Sequence, residues 1–410
     1  MRSNHPFCTS LALVLLAVAG TARAETGGAQ SLLFHGHGFG TQATVGQMVV
    51  LGKSAPISLG CGSHFAENMA AGVDAPPLVI ADQVHSTVEG IDTGPVRSSR
   101  TTAEVQQVSL LNGLITATEV RAVSTTSHDG TTFGVSGEGS SLVDLRVAGM
   151  PVSGSVEPNT RVDLAGFGFA VLNEQQAQVG SADALLQVTM IHLFITMENP
   201  LAVVGTDIRV ASALSRLRAA AGILTGNAFG TSAQLGSAGT FGPSALVGLP
   251  CGGTGGALRE NTAVGVDLSP ALEVGTIRNT AQGTVTPQLA AGQTEARVET
   301  VDVADGLVTI AVVVAGAQVH ADGLVTRLSS EGSSFVDLRV RGFPAISDDV
   351  PANTQLAIDG LGTLWLKRVI RNPSRITVRM VELLVAEPND LGLEIGSRIR
   401  VGVASAGLKP

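Results

Sequence analysis

Glu138-Gly-Ser-Ser-Leu-Val-Asp-Leu-Arg-Val-Ala-Gly-Met-Pro151 returns 193 residues later as Glu331-Gly-Ser-Ser-Phe-Val-Asp-Leu-Arg-Val-Arg-Gly-Phe-Pro344, with eleven of fourteen positions identical. A repeat at that spacing reads as an internal duplication of domain size. In the first copy Val143, Leu145 and Val147 alternate with Asp144 and Arg146; in the second, Val336, Leu338 and Val340 alternate with Asp337 and Arg339. Period two with one apolar face predicts a half-buried strand whose aspartate and arginine share the outer side. A solvated pair of that kind contributes a fraction of a kcal/mol, so the repeated charges read as framework rather than as a catalytic site.

The matching extends outward from this stretch. His37-Gly-Phe-Gly-Thr-Gln-Ala43 answers Asn227-Ala-Phe-Gly-Thr-Ser-Ala233, Leu59-Gly-Cys61-Gly answers Leu249-Pro-Cys251-Gly, and Asp207-Ile-Arg-Val-Ala211 answers Arg398-Ile-Arg-Val-Gly402. These matches place one β repeat domain at residues 30–213, a short join at 214–221 and a second β repeat domain at 222–405. Residues 103–111 and 114–123 are β-rich runs joined by Asn112-Gly113, and residues 294–304 and 307–319 are joined by Asp305-Gly306. Both dipeptides tolerate the positive φ of a type I′ turn, which predicts a two-residue hairpin in each half. Only residues 63–71 carry a helix signal. The expected fold is all-β: two tandem, related β-sandwich-like domains with antiparallel hairpins and little helix.

Residues 11–19 form an apolar run followed by Ala22-Arg23-Ala24, the pattern of a secretory signal peptide over residues 1–24. The run is too short to span a bilayer, and residues 307–319, the longest later apolar run, read as a buried strand. No transmembrane segment is expected after signal-peptide removal. A transmembrane barrel would need aromatic girdles, and the chain has no Tyr and one Trp, Trp365. The formal net charge is −9 and only three lysines occur, Lys53, Lys367 and Lys409. No cluster of cations stands out in the sequence, so nucleic acid is not expected as a partner.

Cys61 and Cys251 lie in corresponding glycine-flanked loops, and an exported compartment permits oxidation. They read either as a disulfide tying the halves together or as two separate thiols inherited by duplication. His35 and His37, two apart on a strand, could start a metal site on one face, but nothing nearby completes it, and neither a metal nor any other cofactor is expected. Gly52-Lys-Ser54 lacks the glycine spacing of a phosphate loop, since Gln47 stands where that glycine is needed. Gly-x-Ser-x-Gly, His-Glu-x-x-His and Cys-x-x-Cys are all missing, and residues 302–306 lack the spaced oxygen ligands of a calcium loop.

Four stretches together resemble the bacterial choice-of-anchor P family. They are Leu110-Leu-Asn-Gly-Leu-Ile-Thr-Ala117, the Gly-Ser-Ser-Leu-Val-Asp-Leu-Arg-Val-Ala-Gly run at 139–149, Pro158-Asn-Thr160, and Gly166-Phe-Gly-Phe-Ala-Val-Leu-Asn-Glu174. The resemblance covers most of residues 100–213 and, more loosely, the second half, where Trp365-Leu-Lys-Arg368 replaces Val171-Leu-Asn-Glu174. It implies an exported β-rich protein without assigned catalysis. Members typically end in a sorting signal. The stretch Ala406-Gly-Leu-Lys-Pro410 shows none, so free secretion or non-covalent attachment is expected.

The resulting expectation is a non-enzymatic structural or interaction protein, secreted or on the cell surface with the periplasm as the alternative, meeting a protein or cell-envelope partner. A ligand- or glycan-binding module is the alternative function, and a secreted hydrolase ranks last. Features specific to this chain are expected where the halves differ: the early histidines, the cysteine loops and the surface near Trp365.

Overall fold

The structure is a computed structural model that describes residues 31–409 apart from positions 153, 323 and 324. The signal-peptide reading of residues 1–24 lies outside the described residues. Apart from one 3-10 turn at Gly236–Ala238, every named element is a β-strand, and every strand pairing is antiparallel. Among the described residues no sheet closes into a barrel.

Alternating sequences pair in four sheets because each strand has one apolar side to hide. Between Ser31 and Ala220 lie two of them. One runs in the order Thr160–Leu164, Gly168–Val179, Asp183–Ile195, Thr206–Ala220, Ser31–Val45, Met48–Leu51. The other is built around Val84–Ile91, Arg97–Leu110 and Ile115–His128, and packs face to face against the first. Between Leu224 and Leu408 lie two more. The order there is Thr354–Ile358, Gly362–Asn372, Arg375–Val385, Arg398–Leu408, Leu224–Leu235, Gly239–Phe241 in one sheet; Arg259–Leu268, Leu272–Val285, Ala290–Val303 and Val308–Ala321 lead the other. In both regions the first long strand pairs with the last: Ser31 meets Ala220, and Leu224 meets Leu408.

The sandwich interiors hold inward-facing Ile, Leu, Val and Ala, among them Ile191, Leu193 and Ile208 in the first and Leu364, Val381 and Ile399 in the second. Small hydroxyls also lie between the sheets. Ser124 donates to the Leu186 carbonyl at 2.7 Å, Thr101 to Leu214 at 2.8 Å, and Thr294 to Ser405 at 3.0 Å. Each satisfies a carbonyl on the facing sheet, so burying these groups does not strand a polar atom. The two regions also touch. Leu33 and Ala220 belong to the same apolar cluster as Leu224 and Leu249, and the Ala221 amide donates to the Thr286 carbonyl at 2.8 Å.

Several expectations change. Residues 214–220, read as part of the join, continue the Thr206–Ala220 strand; its Leu217 and Ala219 side chains are buried and only residues 221–223 separate it from the next strand. Residues 63–71, read as the one helix signal, contain the strand Phe65–Ala70, because pairing along Val84–Ile91 satisfies its backbone. The hairpins form, but with four-residue loops: Leu110 pairs with Ile115 and Val303 with Val308. Leu111 (φ 48°) and Ala304 (φ 54°) adopt the left-handed conformation ahead of the predicted dipeptides. Doing so buries both side chains and lets their amides bond Leu78 and Ala271.

The duplicated stretch holds two matching strand pieces per copy, Ser141–Val143 with Arg146–Val147 and Ser334–Val336 with Arg339–Val340, and the first copy adds Met150–Pro151. Asp144 (φ 51°) and Asp337 (φ 54°) break each one. Leu145, Val147, Leu338 and Val340 are buried as expected, but Val143 and Val336 face solvent. The neighbouring strand Ile115–His128 changes phase at the same level, with Ile115 and Ala117 inward below it and Val120 and Ala122 inward above it. Gln107 and Thr300, also at positive φ, mark the matching phase changes in Arg97–Leu110 and Ala290–Val303, which leave the pairing register unshifted.

Candidate functional site

Cys61 and Cys251 form a disulfide, Sγ to Sγ 2.05 Å with Cα atoms 5.9 Å apart. The bridge spans the two regions, beside Arg218, which donates to the Gly252 carbonyl at 3.2 Å. An open pocket of about 430 Å³ adjoins it, lined by Leu224, Thr225, Arg375, Leu408 and Lys409 as well as the two cysteines.

His35 and His37 do project to one face, but among cations. Arg216 lies near His35, and His37 accepts from Lys53 Nζ at 2.7 Å through Nε2 while Nδ1 donates to the Ile57 carbonyl at 3.0 Å. Burial and the nearby cations lower both imidazole pKa values, against the raising effect of the Ile57 hydrogen bond on His37. Rings next to two positive charges, with both nitrogens of His37 already engaged, are poorly placed to receive a cation. Among the described residues no group of three or more His, Cys, Asp or Glu is placed to hold a metal ion.

Two charged clusters occupy corresponding places on the outer faces of the two sheets that contain the long first strands. In the first, His192 on Asp183–Ile195 sits between Glu174 (Nδ1 to Oε2, 2.6 Å) and Asp207 (Nε2 to Oδ2, 2.8 Å), with Arg209 Nε donating to Asp207 at 3.1 Å. Burial opposes a charged ring, but the hydrogen bonds to Asp207 and Glu174 outweigh it and raise the His192 pKa. The contact with His192 lowers Glu174, and it lowers Asp207 against the opposing effect of burial. Both imidazole nitrogens face carboxylate oxygens, which favours the protonated ring, and Arg209 Nε also lies 3.2 Å from Nε2. Beside it Arg161, Phe169, Phe194 and His192 stack in sequence.

In the second, Glu382 takes the place of His192, and arginines take the places of its carboxylates. Glu382 pairs across its strand with Trp365 on one side and Arg400 on the other, as His192 does with Val171 and Arg209. Its carboxylate accepts from Arg400 Nε at 2.9 Å, from Arg379 at 2.8 Å and from Arg368, and Arg398 Nε is 4.0 Å away. Burial would raise this carboxyl, but the bonds from Arg400, Arg368 and Arg379 hold it down at about 2. Arg368 and Arg379 face each other directly across their strands, a like-charge juxtaposition that costs stability unless neutralised. Arg368 also lies over the Trp365 ring, 4.7 Å from its centroid.

Only 3% of the Glu382 side chain is exposed, whereas the four arginine side chains range from 23% to 44%. The carboxylate is therefore sunk beneath a layer of guanidinium edges, and the cluster carries three positive charges in excess. The sequence reading singled out Trp365 but not the arginines. The signal available was Arg398-Ile-Arg400, two cations on one face of a strand; which other side chains they meet depends on strand register. Comparison with protein-family models and with curated proteins returns no match to this chain.

Proposed function

We propose that this chain is an exported, non-enzymatic interaction protein of the bacterial cell surface or extracellular space, built from a duplicated β unit. The Cys61–Cys251 bridge carries the reading, because disulfides of this structural kind persist in oxidising compartments. The signal-peptide pattern and the resemblance to the choice-of-anchor P family support it. The test is the location of the mature protein in cell fractions, before and after protease shaving of intact cells. Recovery at the surface or in the medium is expected; retention with reduced cytoplasmic proteins would sink the proposal.

A second reading, a ligand-binding module, is favoured by the Trp365 face, where four arginines share a single carboxylate beside the chain's one tryptophan.

A further inference from the structure

Strand register places Gln355, Trp365, Glu382, Arg400 and Ser232 in one row across five strands. At about 4.8 Å per strand the row is about 19 Å long, the reach of a short oligosaccharide. Its charge is concentrated in the middle, around Glu382, with neutral hydrogen-bonding side chains at both ends. Beside Arg400, Arg398 pairs across to Gln234, extending the amide-bearing end.

Each guanidinium has five N–H donors. Glu382 takes Nε of Arg400 and one terminal nitrogen each of Arg368 and Arg379, and Arg398 stands too far away for a hydrogen bond. The remaining donors belong to side chains that are partly exposed, above a carboxylate too deeply sunk to neutralise an arriving anion. Planar guanidiniums recognise carboxylates with two parallel hydrogen bonds. An indole beside them supplies apolar surface for the C–H face of a sugar ring.

We infer that the Trp365 face binds an acidic polysaccharide, with a uronate carboxylate on the free edges of Arg398, Arg400 and Arg368 and adjoining sugars reaching towards Gln355 and Ser232. The inference rests on the binding-module reading and is independent of where the protein resides. A nucleic acid would need cations all along the row to meet its regularly spaced phosphates, and a membrane would need exposed apolar side chains there. Neither is the pattern of this row.

The test is calorimetric titration of the purified protein with tetragalacturonate, with cellotetraose as the neutral comparator, at low and high salt. Saturable, salt-weakened binding of tetragalacturonate and none of cellotetraose is expected. Arg398→Glu leaves the three closer Glu382 contacts in place and should weaken binding about tenfold, since a guanidinium–carboxylate contact is lost and a like charge added. Trp365→Ala should weaken it as well, and Arg327→Glu, on the other sheet, should not; thermal unfolding of each variant checks that the fold is retained. Equal affinity in wild type and Arg398→Glu, a preference for cellotetraose, or no saturable binding overturns the inference. So does binding of anionic lipid vesicles or a sulfated disaccharide in place of tetragalacturonate. Loss of binding with surface location intact would remove the ligand while leaving the exported-protein reading standing.

Discussion

Glu382→Gln removes the one negative charge among Arg368, Arg379, Arg398 and Arg400 while preserving side-chain shape. The carboxyl titrates at about 2 instead of 4.5. Each pKa unit corresponds to about 1.4 kcal/mol, so ionised Glu382 contributes about 3 kcal/mol to folding at neutral pH. Because the folded-state pKa is the depressed one, this contribution is complete above the unfolded value near 4.5. It is lost as pH falls from there through about 2. Equilibrium urea unfolding followed by circular dichroism should therefore show Glu382→Gln less stable than wild type by about 3 kcal/mol at pH 7. The gap should narrow steadily below pH 4.5 and nearly close at pH 2. Fluorescence of Trp365, which pairs across from Glu382, reports the same transition locally. Equal stability at pH 7, or a gap that persists undiminished to pH 2, would refute the account of four arginines held by one carboxylate.

Replacing both Cys61 and Cys251 with serine should destabilise by roughly 5 kcal/mol in the loop-entropy model, since the bridge closes a separation of 190 residues. Thiol labelling of the unfolded, unreduced protein should find neither cysteine free, and two free thiols would contradict the bridge. His192 has a raised folded-state pKa, so its contribution is complete below the unfolded value near 6.5 and is lost as pH rises through the folded value. The melting temperature of wild type should fall over that window relative to His192→Gln, and parallel profiles would count against the charged ring. A Cβ on Gly168 would lie 2.1 Å from the Phe194 carbonyl and one on Gly362 2.3 Å from that of Leu384, both at left-handed φ. Alanine at either position should cost about 2–4 kcal/mol in urea unfolding, whereas Gly52→Ala, which meets nothing within 4 Å, should stay within about 0.5 kcal/mol.

The β class was legible because alternation at Leu145 and Val147, or Leu338 and Val340, records one buried face directly. The cysteine pairing was posed by the sequence and decided by the fold, since only tertiary geometry brings two glycine-flanked loops together. Strand limits were less legible. Arg97–Leu110 begins well before residue 103 because its inward positions there are Ser99 and Thr101, whose hydroxyls bond His35 and Leu214 carbonyls on the facing sheet. Such residues look like loop until the facing carbonyls are known. The positive-φ phase changes at Gln107 and Thr300 leave no composition signal, yet they decide which valines face water. The arginine cluster was hidden for a related reason. Arg368, Arg379 and Arg400 lie on three strands and read singly as solvated surface; only pairing register sets them around Glu382.

The pairing of the first long strand with the last has a temporal consequence. During synthesis Ser31–Val45 emerges long before Thr206–Ala220, so it waits with an unmet edge while the rest of its sandwich is made. Leu224–Leu235 waits likewise for Arg398–Leu408. Such high contact order slows folding and prolongs exposure of strand edges to wrong partners. The Arg398–Leu408 strand thus completes the second sandwich, and a nascent chain not yet extended to it would present an open sheet edge beside Leu224–Leu235.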